Sequence, residues 1–137
     1  MIYLLDSNSW IDHLRHGPAS KVTAKIAAAP PGSVCLCSLV VGELIYGALH
    51  GGPAHQAKNL ALIASLRQQF MSLAFDDRAA EEYGKTRAYL SSMGTLIGPN
   101  DLIIAAIAVA HGCTLVSHNT REFSRVPGLL LEDWEMP

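Results

Sequence analysis

Three acidic residues that are far apart in this chain each stand where an apolar run gives way to a helical pattern. Asp6 directly follows the apolar residues 2–5, and Glu43 comes two residues after the apolar stretch 34–41. Asp101 opens a helical run that is otherwise apolar. In an open parallel sheet, strand ends and the helix N-termini that follow them gather along one edge, where such folds bind ligands. The pattern therefore predicts an α/β fold in which three carboxylates meet.

The remaining pattern supports this fold class. Short apolar runs bounded by glycine, proline and polar residues predict strands, and longer periodic segments predict helices. The predicted strands are residues 2–5, 34–37, 71–75, 113–117 and 129–131. The predicted helices are residues 10–15, 19–29, 39–49, 54–70, 77–93 and 101–111. Because strands alternate with helices, we expect a three-layer α/β/α sandwich with a mostly parallel central sheet, in a single domain spanning residues 1–137.

The composition limits the setting in which the protein works. Half of the residues are hydrophobic and 16% are charged, which indicates a globular protein with a charge-poor surface that a partner could cover. Three cysteines give no disulfide framework and suit a reducing cytoplasm. No apolar run is long enough to span a bilayer and the N-terminus lacks a basic region, so we expect a cytoplasmic protein without a membrane partner. A net charge of −2 gives no basic footprint for nucleic acid.

The three carboxylates indicate a metal site. Two of them ~4 Å apart repel each other by about 4 kcal/mol at an effective dielectric constant of ~20. A hard cation such as Mg²⁺ or Mn²⁺ removes this cost, which points to metal-dependent cleavage of phosphodiester bonds. Purely structural roles stay open for the same residues, because Asp6 and Asp101 could cap helices and Glu43 could interact with a helix dipole. Capping and metal binding are compatible.

The loop after the run 113–117 offers further candidates. The amide of Asn119 could bind the metal or orient a water, or it could serve the turn itself. His118 could take part in acid–base chemistry or be a solvated loop residue. Arg121 and Arg125 are expected to be surface cations, with phosphate contact as the alternative.

Four segments of the chain together resemble PIN-domain ribonucleases, and the last of them resembles the VapC-type toxins of bacterial toxin–antitoxin pairs. These segments are Leu4-Leu5-Asp6-Ser7-Asn8, Val41-Gly42-Glu43-Leu44-Ile45-Tyr46-Gly47, Ile97-Gly98-Pro99-Asn100-Asp101-Leu102-Ile103-Ile104-Ala105-Ala106 and the tail 115–129. Each motif alone would be weak evidence, but four in the family's order and spacing are strong evidence.

The resemblance implies an endoribonuclease that depends on Mg²⁺ or Mn²⁺, is usually dimeric, and is held inactive by a cognate antitoxin. RNA, either tRNA or rRNA, is the implied substrate, and hydrolysis leaves 5′-phosphate and 3′-hydroxyl ends. By position, Asp6, Glu43 and Asp101 match the acidic catalytic and metal-binding set. The chain departs from the family at Ser7, where threonine is usual, and at Asn119, where many members carry a fourth acid. The second departure leaves the occupancy of a second metal position open.

Three different functions compete with this interpretation. A receiver-like phosphoacceptor domain would need an acidic pair after the first strand and a late lysine, but no lysine follows Lys85. A haloacid-dehalogenase-type phosphatase would need Asp-x-Asp, which Asn8 breaks. The third alternative is non-enzymatic, a PIN-like scaffold that has lost its activity and only binds a partner.

We also expect some apolar residues beside the carboxylates to line a groove for an antitoxin segment. The candidates are Trp10, Leu14, Leu44, Tyr46 and Leu49.

Overall fold

The computed structural model describes residues 1–136, and a sheet of five parallel strands runs through it. The strands are β1 (Tyr3–Leu5), β2 (Val34–Cys37), β3 (Met71–Leu73), β4 (Thr114–Val116) and β5 (Leu130–Glu132). All five lie within or beside the predicted runs. Their spatial order is β3-β2-β1-β4-β5, so β1 occupies the centre.

Seven α-helices connect the strands within residues 1–136. They are α1 (Ser7–His16), α2 (Lys21–Ala28), α3 (Ser38–His50), α4 (Pro53–Gln69), α5 (Asp77–Ser92), α6 (Pro99–Ala110) and α7 (Thr120–Phe123). Three helices start at a side-chain cap, since Asp6, Ser20 and Asp76 cap α1, α2 and α5. Helix α6 instead starts at Pro99, two residues earlier than predicted, because proline is favoured at the first helical position.

The strand order determines where the helices lie. The connections from β1 to β2 and from β2 to β3 move one way across the sheet, and those through β4 and β5 move the other way. Because parallel crossovers are right-handed, α1–α4 cover one face and α5–α7 cover the other. The predicted three-layer α/β/α sandwich is confirmed.

The strand order also excludes a competing function. In receiver-like domains the order is 2-1-3-4-5, which places the first strand between the second and third. Here Leu4 of β1 pairs with Cys35 of β2 on one side and with Leu115 of β4 on the other. The receiver-like alternative is therefore wrong.

Burial on both faces explains the near-continuous apolar runs. Val34–Cys37 of β2 and most of α6 are buried, as expected for a sheet covered on both sides and for a helix without a polar face. The three cysteines are free and buried. None of the helices in residues 1–136 combines the length and apolar character needed to cross a membrane.

The five apolar residues expected beside the carboxylates have different environments. Leu14 and Leu44 line a cavity together with Glu43, as expected for a groove. Trp10 is fully buried and packs against Phe70 with ring centroids 5.0 Å apart, so it belongs to the core rather than to a groove. Tyr46 and Leu49 are exposed by 65% and 52%. The contact of Trp10 with Phe70, at the end of α4, decided between these roles, and sequence periodicity could not predict it.

Candidate metal centre and active site

Asp6 lies directly after the central strand and is almost completely buried. Its Oδ1 accepts a hydrogen bond of 2.9 Å from the Ser9 backbone N–H, which makes it the N-cap of α1. Its Oδ2 accepts a hydrogen bond of 2.6 Å from the Ser117 hydroxyl, which lies after β4. Each carboxylate oxygen has two acceptor positions, so both oxygens can still bind a cation. The capping interpretation of Asp6 is correct, and it is compatible with metal binding.

Glu43 is held by side chains from two other helices. The Ser7 hydroxyl of α1 donates to Oε1 at 2.5 Å, and the Asn100 amide of α6 donates to Oε2 at 3.2 Å. Glu43 is the sixth residue of α3, beyond its first turn, so the alternative of a first-turn charge on the helix dipole is wrong. Its carboxylate is oriented by long-range contacts instead.

Asp101 lies in the first turn of α6 and makes no capping hydrogen bond, so the capping alternative is wrong here. Partial burial is the main cause that raises the pKa of its carboxyl to about 6. The negative charges of Glu122, Asp6 and Glu43 raise that pKa further, as does a hydrogen bond with Glu122. The three predicted carboxylates therefore share one electrostatic environment.

Glu122 is a fourth carboxylate of this environment, and sequence reasoning gave it no role. It lies in α7, and its Oε2 accepts a hydrogen bond of 2.6 Å from the Asn119 side-chain amide. The Asn119 backbone N–H donates to Ser117 at 2.9 Å. The structure thus places Asn119 where it supports both Glu122 and the hydroxyl that contacts Asp6. The sequence feature that could have indicated Glu122 is an acid in the first turn of a short helix at the ligand-binding edge of the sheet.

This set of carboxylates fits a hard divalent cation. Within residues 1–136, Asp6, Glu43, Asp101 and Glu122 form no ion pair with lysine, arginine or histidine. No three of the four carboxylates lie within 4.8 Å of one another. A single cation would therefore contact at most two of them directly and reach the others through water, as Mg²⁺ commonly does.

A second cluster near the site is explained by ion pairs. Nδ1 of His118 lies 2.9 Å from Asp133 and 3.5 Å from Glu135. The hydrogen bond with Asp133, together with both negative charges, raises the pKa of His118. These contacts fasten the chain after β5 to the loop after β4.

The family of this chain is shown by its match to a known family model. A family model described as "PIN domain" matches residues 3–129. The chain belongs to the PIN-domain family. The interpretation drawn from its four motifs is confirmed.

The relatives of this PIN domain are VapC ribonucleases. The chain is 37% identical over 132 residues to the tRNA(fMet)-specific endonuclease VapC of Shigella flexneri, covering 96% of this chain and 97% of the relative. It is 33% identical over 135 residues to ribonuclease VapC2 of Rickettsia felis, covering 98% and 99%. The solved structure of DNA-bound VapBC from Salmonella typhimurium superimposes with a TM-score of 0.88 at 33% identity, over 98% of each chain. The resemblance to VapC-type toxins is likewise confirmed.

Both departures from the family's motifs have a structural explanation in this PIN domain. Ser7 keeps the hydroxyl of the usual threonine, and that hydroxyl contacts Glu43. Asn119 carries no charge, but Glu122, three residues later, brings a carboxylate to Asp101. The number of acids at the site is therefore four despite the amide at position 119.

The support of Glu43 leads to a testable expectation. Ser7→Ala and Asn100→Ala should each lower kcat for RNA cleavage by roughly 10- to 100-fold, the usual cost of removing a group that orients a metal-site carboxylate. Ser7→Thr should keep kcat near the wild-type value, because threonine retains the hydroxyl. Asn8→Ala, at an exposed position in the same turn, is the matched control. Steady-state kinetics and Mn²⁺ titration separate the loss of orientation from a loss of metal. Wild-type kcat in Ser7→Ala would show that Glu43 needs no support.

Proposed function

We propose that this VapC-type PIN domain cleaves RNA by hydrolysis with a divalent cation, Mg²⁺ or Mn²⁺, held by Asp6 and Asp101. The observation that carries the proposal is that Asp6, Glu43 and Glu122 lie near enough to Asp101 to raise the pKa of its carboxyl, while none of the four has a cationic partner in the part of the chain that the structure describes. When bound, such a cation acidifies water and neutralises charge on phosphoryl oxygens.

Hydrogen bonds from neighbouring residues fix the orientation of the carboxylates at this site. Asp6 is fixed by Ser9 and Ser117, and it gives the centre a rigid anchor at the end of β1. Glu43, fixed by Ser7 and Asn100, faces the centre as the base that takes a proton from the attacking water. Water then attacks the phosphorus, the bond to the 3′ oxygen breaks, and that oxygen gains a proton. The products carry 5′-phosphate and 3′-hydroxyl ends.

Glu122 supports an active enzyme over a PIN-like scaffold that only binds. The scaffold alternative rested on the missing acid at position 119, and Glu122 supplies a carboxylate that interacts with Asp101. We propose that Glu122 contacts the cation through water and that Asn119 holds Glu122 in place.

The deciding experiment is cleavage of RNA by the purified chain. Unfractionated tRNA is a suitable first substrate, because the Shigella relative is named a tRNA-specific endonuclease. Cleavage should require Mg²⁺ or Mn²⁺, stop in EDTA, and return with excess metal. The new 5′ ends should be phosphorylated, and the new 3′ ends should accept ligation. Cleavage that persists in EDTA, or 2′,3′-cyclic phosphate products, would contradict the metal mechanism.

We propose two protein partners as well. A cognate antitoxin is supported by the similarity to VapBC structures, and we place it on the exposed Tyr46 and Leu49 of α3, close to Glu43. A basic antitoxin side chain approaching the carboxylates would replace the charge of the cation and thereby inhibit cleavage.

A second copy of the chain is the other proposed partner. The exposed apolar side chains Tyr89, Met93 and Leu96 offer it a surface.

A further inference from the structure

A cavity of about 360 Å³ lies next to the carboxylates, between α1, α3 and α4. Glu43 forms part of its wall, so the cavity borders the proposed metal centre. Leu14, Leu44 and Ile63 contribute to an apolar lining. A volume at the lower end of the ~300–1,000 Å³ range of small-ligand sites suits one nucleotide.

The cavity also carries positive charge that nothing else in the described structure uses. Arg15 of α1 and Lys58 of α4 line it, both are exposed, and neither forms an ion pair within residues 1–136. The chain has a net charge of −2, and its active site holds four carboxylates. Attraction of a polyanion must therefore come from local cations of this kind.

We propose that this cavity is a subsite for one nucleotide of single-stranded RNA beside the scissile phosphate. The base packs against the apolar lining, and Arg15 and Lys58 bind its flanking phosphates. Asn59 is a lining side chain with both amide donors and a carbonyl acceptor, so it can contact the edge of the base. The inference rests on the proposed ribonuclease function and adds to it the position and chemistry of substrate binding.

Charge favours RNA over a protein segment as the occupant. An inhibitory segment that brings a basic side chain to the carboxylates through this cavity would pass two cations of the same sign, Arg15 and Lys58. A phosphodiester chain instead meets complementary charge at the rim and, with its cation, at the carboxylates. The antitoxin is accordingly placed on the outer surface of α3, at Tyr46 and Leu49.

Gly47 gives a direct test of occupancy. It lies in α3 and lines the cavity, and an added Cβ would meet no atom within 4 Å. Gly47→Leu should therefore fill the cavity while keeping the fold, since leucine is also a better helix former than glycine. Gly84→Leu on α5 is the matched control, because Gly84 is helical and has equally open surroundings.

Binding of a short, fluorescently labelled single-stranded RNA is the readout, measured in an Asp101→Asn background so that the RNA stays intact. Gly47→Leu should weaken binding by about tenfold, the order expected when one base loses its packing surface. Gly84→Leu should bind RNA as the parent does. With Asp101 restored, Gly47→Leu should keep wild-type Mn²⁺ affinity and melt at or above the wild-type temperature.

The cations are tested separately by their salt dependence. Arg15→Gln and Lys58→Gln should each weaken RNA binding at low salt and reduce the slope of log K against log salt by about 0.7, the value for one lost phosphate contact on a single strand. Arg67→Gln is the matched control. It is exposed on the same helix, nine residues from Lys58 and thus on the opposite face.

The outcomes separate this inference from the proposed function. If the wild type cleaves RNA with metal and Gly47→Leu binds and cleaves it equally well, the subsite is wrong and the function stands. If Gly47→Leu loses only inhibition by a cognate antitoxin, the cavity belongs to a protein partner and the subsite is again wrong. If no metal-dependent cleavage occurs, the proposed function fails, and the binding measurements still decide the subsite.

Discussion

Replacing Asp101 with asparagine should abolish RNA cleavage and leave the metal-free protein at least as stable as the wild type. Removing a carboxylate that binds the cation should cost more than the ~100-fold expected for a group that only orients such a ligand. The stability effect follows from repulsion, because burial and the charges of Glu122, Asp6 and Glu43 raise the pKa of Asp101 to about 6. The charged form is therefore unfavourable in the fold without metal.

The sign of the pH dependence follows from this pKa. The folded protein holds the Asp101 proton up to a pH of about 6, whereas the ordinary value is 3.8. Unfolding thus releases protons in this window, and stability falls as pH rises through it. Asp101→Asn has no carboxyl to titrate at this position, so its stability does not fall in this pH window for that reason. The gain should be on the order of 1 kcal/mol above about pH 7, after discounting for solvent screening of a partly exposed side chain.

Asp6→Asn provides an informative contrast. It should also abolish cleavage, but it should not gain stability, because both Asp6 oxygens accept hydrogen bonds and the side chain is almost completely buried. An amide nitrogen facing Ser117 would disrupt that contact, at a cost of about 1 kcal/mol. Denaturant unfolding in EDTA at several pH values measures both variants, with the exposed Asp77→Asn as control. A clear loss of stability in Asp101→Asn would show that Asp101 is structural.

Production of the wild-type chain in bacteria, without an antitoxin, should arrest growth. The expectation follows from membership of the VapC-type PIN domains and from the carboxylates of Asp6, Glu43 and Glu122, whose charges act on Asp101. Because the arrest depends on cleavage, Asp101→Asn should grow as the empty-vector strain does. Glu81→Gln, which changes an exposed acid on α5, should arrest growth as fully as the wild type.

Colony counts and culture density after induction measure this effect, with immunoblots to confirm equal protein levels. Growth arrest by Asp101→Asn at the wild-type level would rule out cleavage as its cause. Normal growth with a well-expressed wild type would mean that the chain acts as a binding scaffold in the cell. Sequencing of RNA 5′ ends before and after induction would identify the cleaved RNA directly.

The sequence alone determined the fold class and most of the acidic set. Apolar runs of three to five residues that alternate with longer helical segments are local patterns, and each strand they predicted is present. The motifs around Asp6, Glu43 and Asp101 indicated the family, which the match over residues 3–129 confirms. These properties could be read from sequence because periodicity and motif spacing are encoded within short stretches of chain.

Only the tertiary structure decided which residues meet. Ser117 and Asp6 are separated by 111 positions, and Asn100 and Glu43 by 57, so no local pattern reveals either hydrogen bond. Glu122 resembles an ordinary first-turn acid in the sequence, and only the fold brings its charge to Asp101. The strand order likewise depends on pairing between distant segments, and it excluded the receiver-like alternative. The cavity between α1, α3 and α4 exists only where three helices pack imperfectly. Such features arise from contacts between distant segments, whose energies depend on the assembled core and not on any single stretch of sequence.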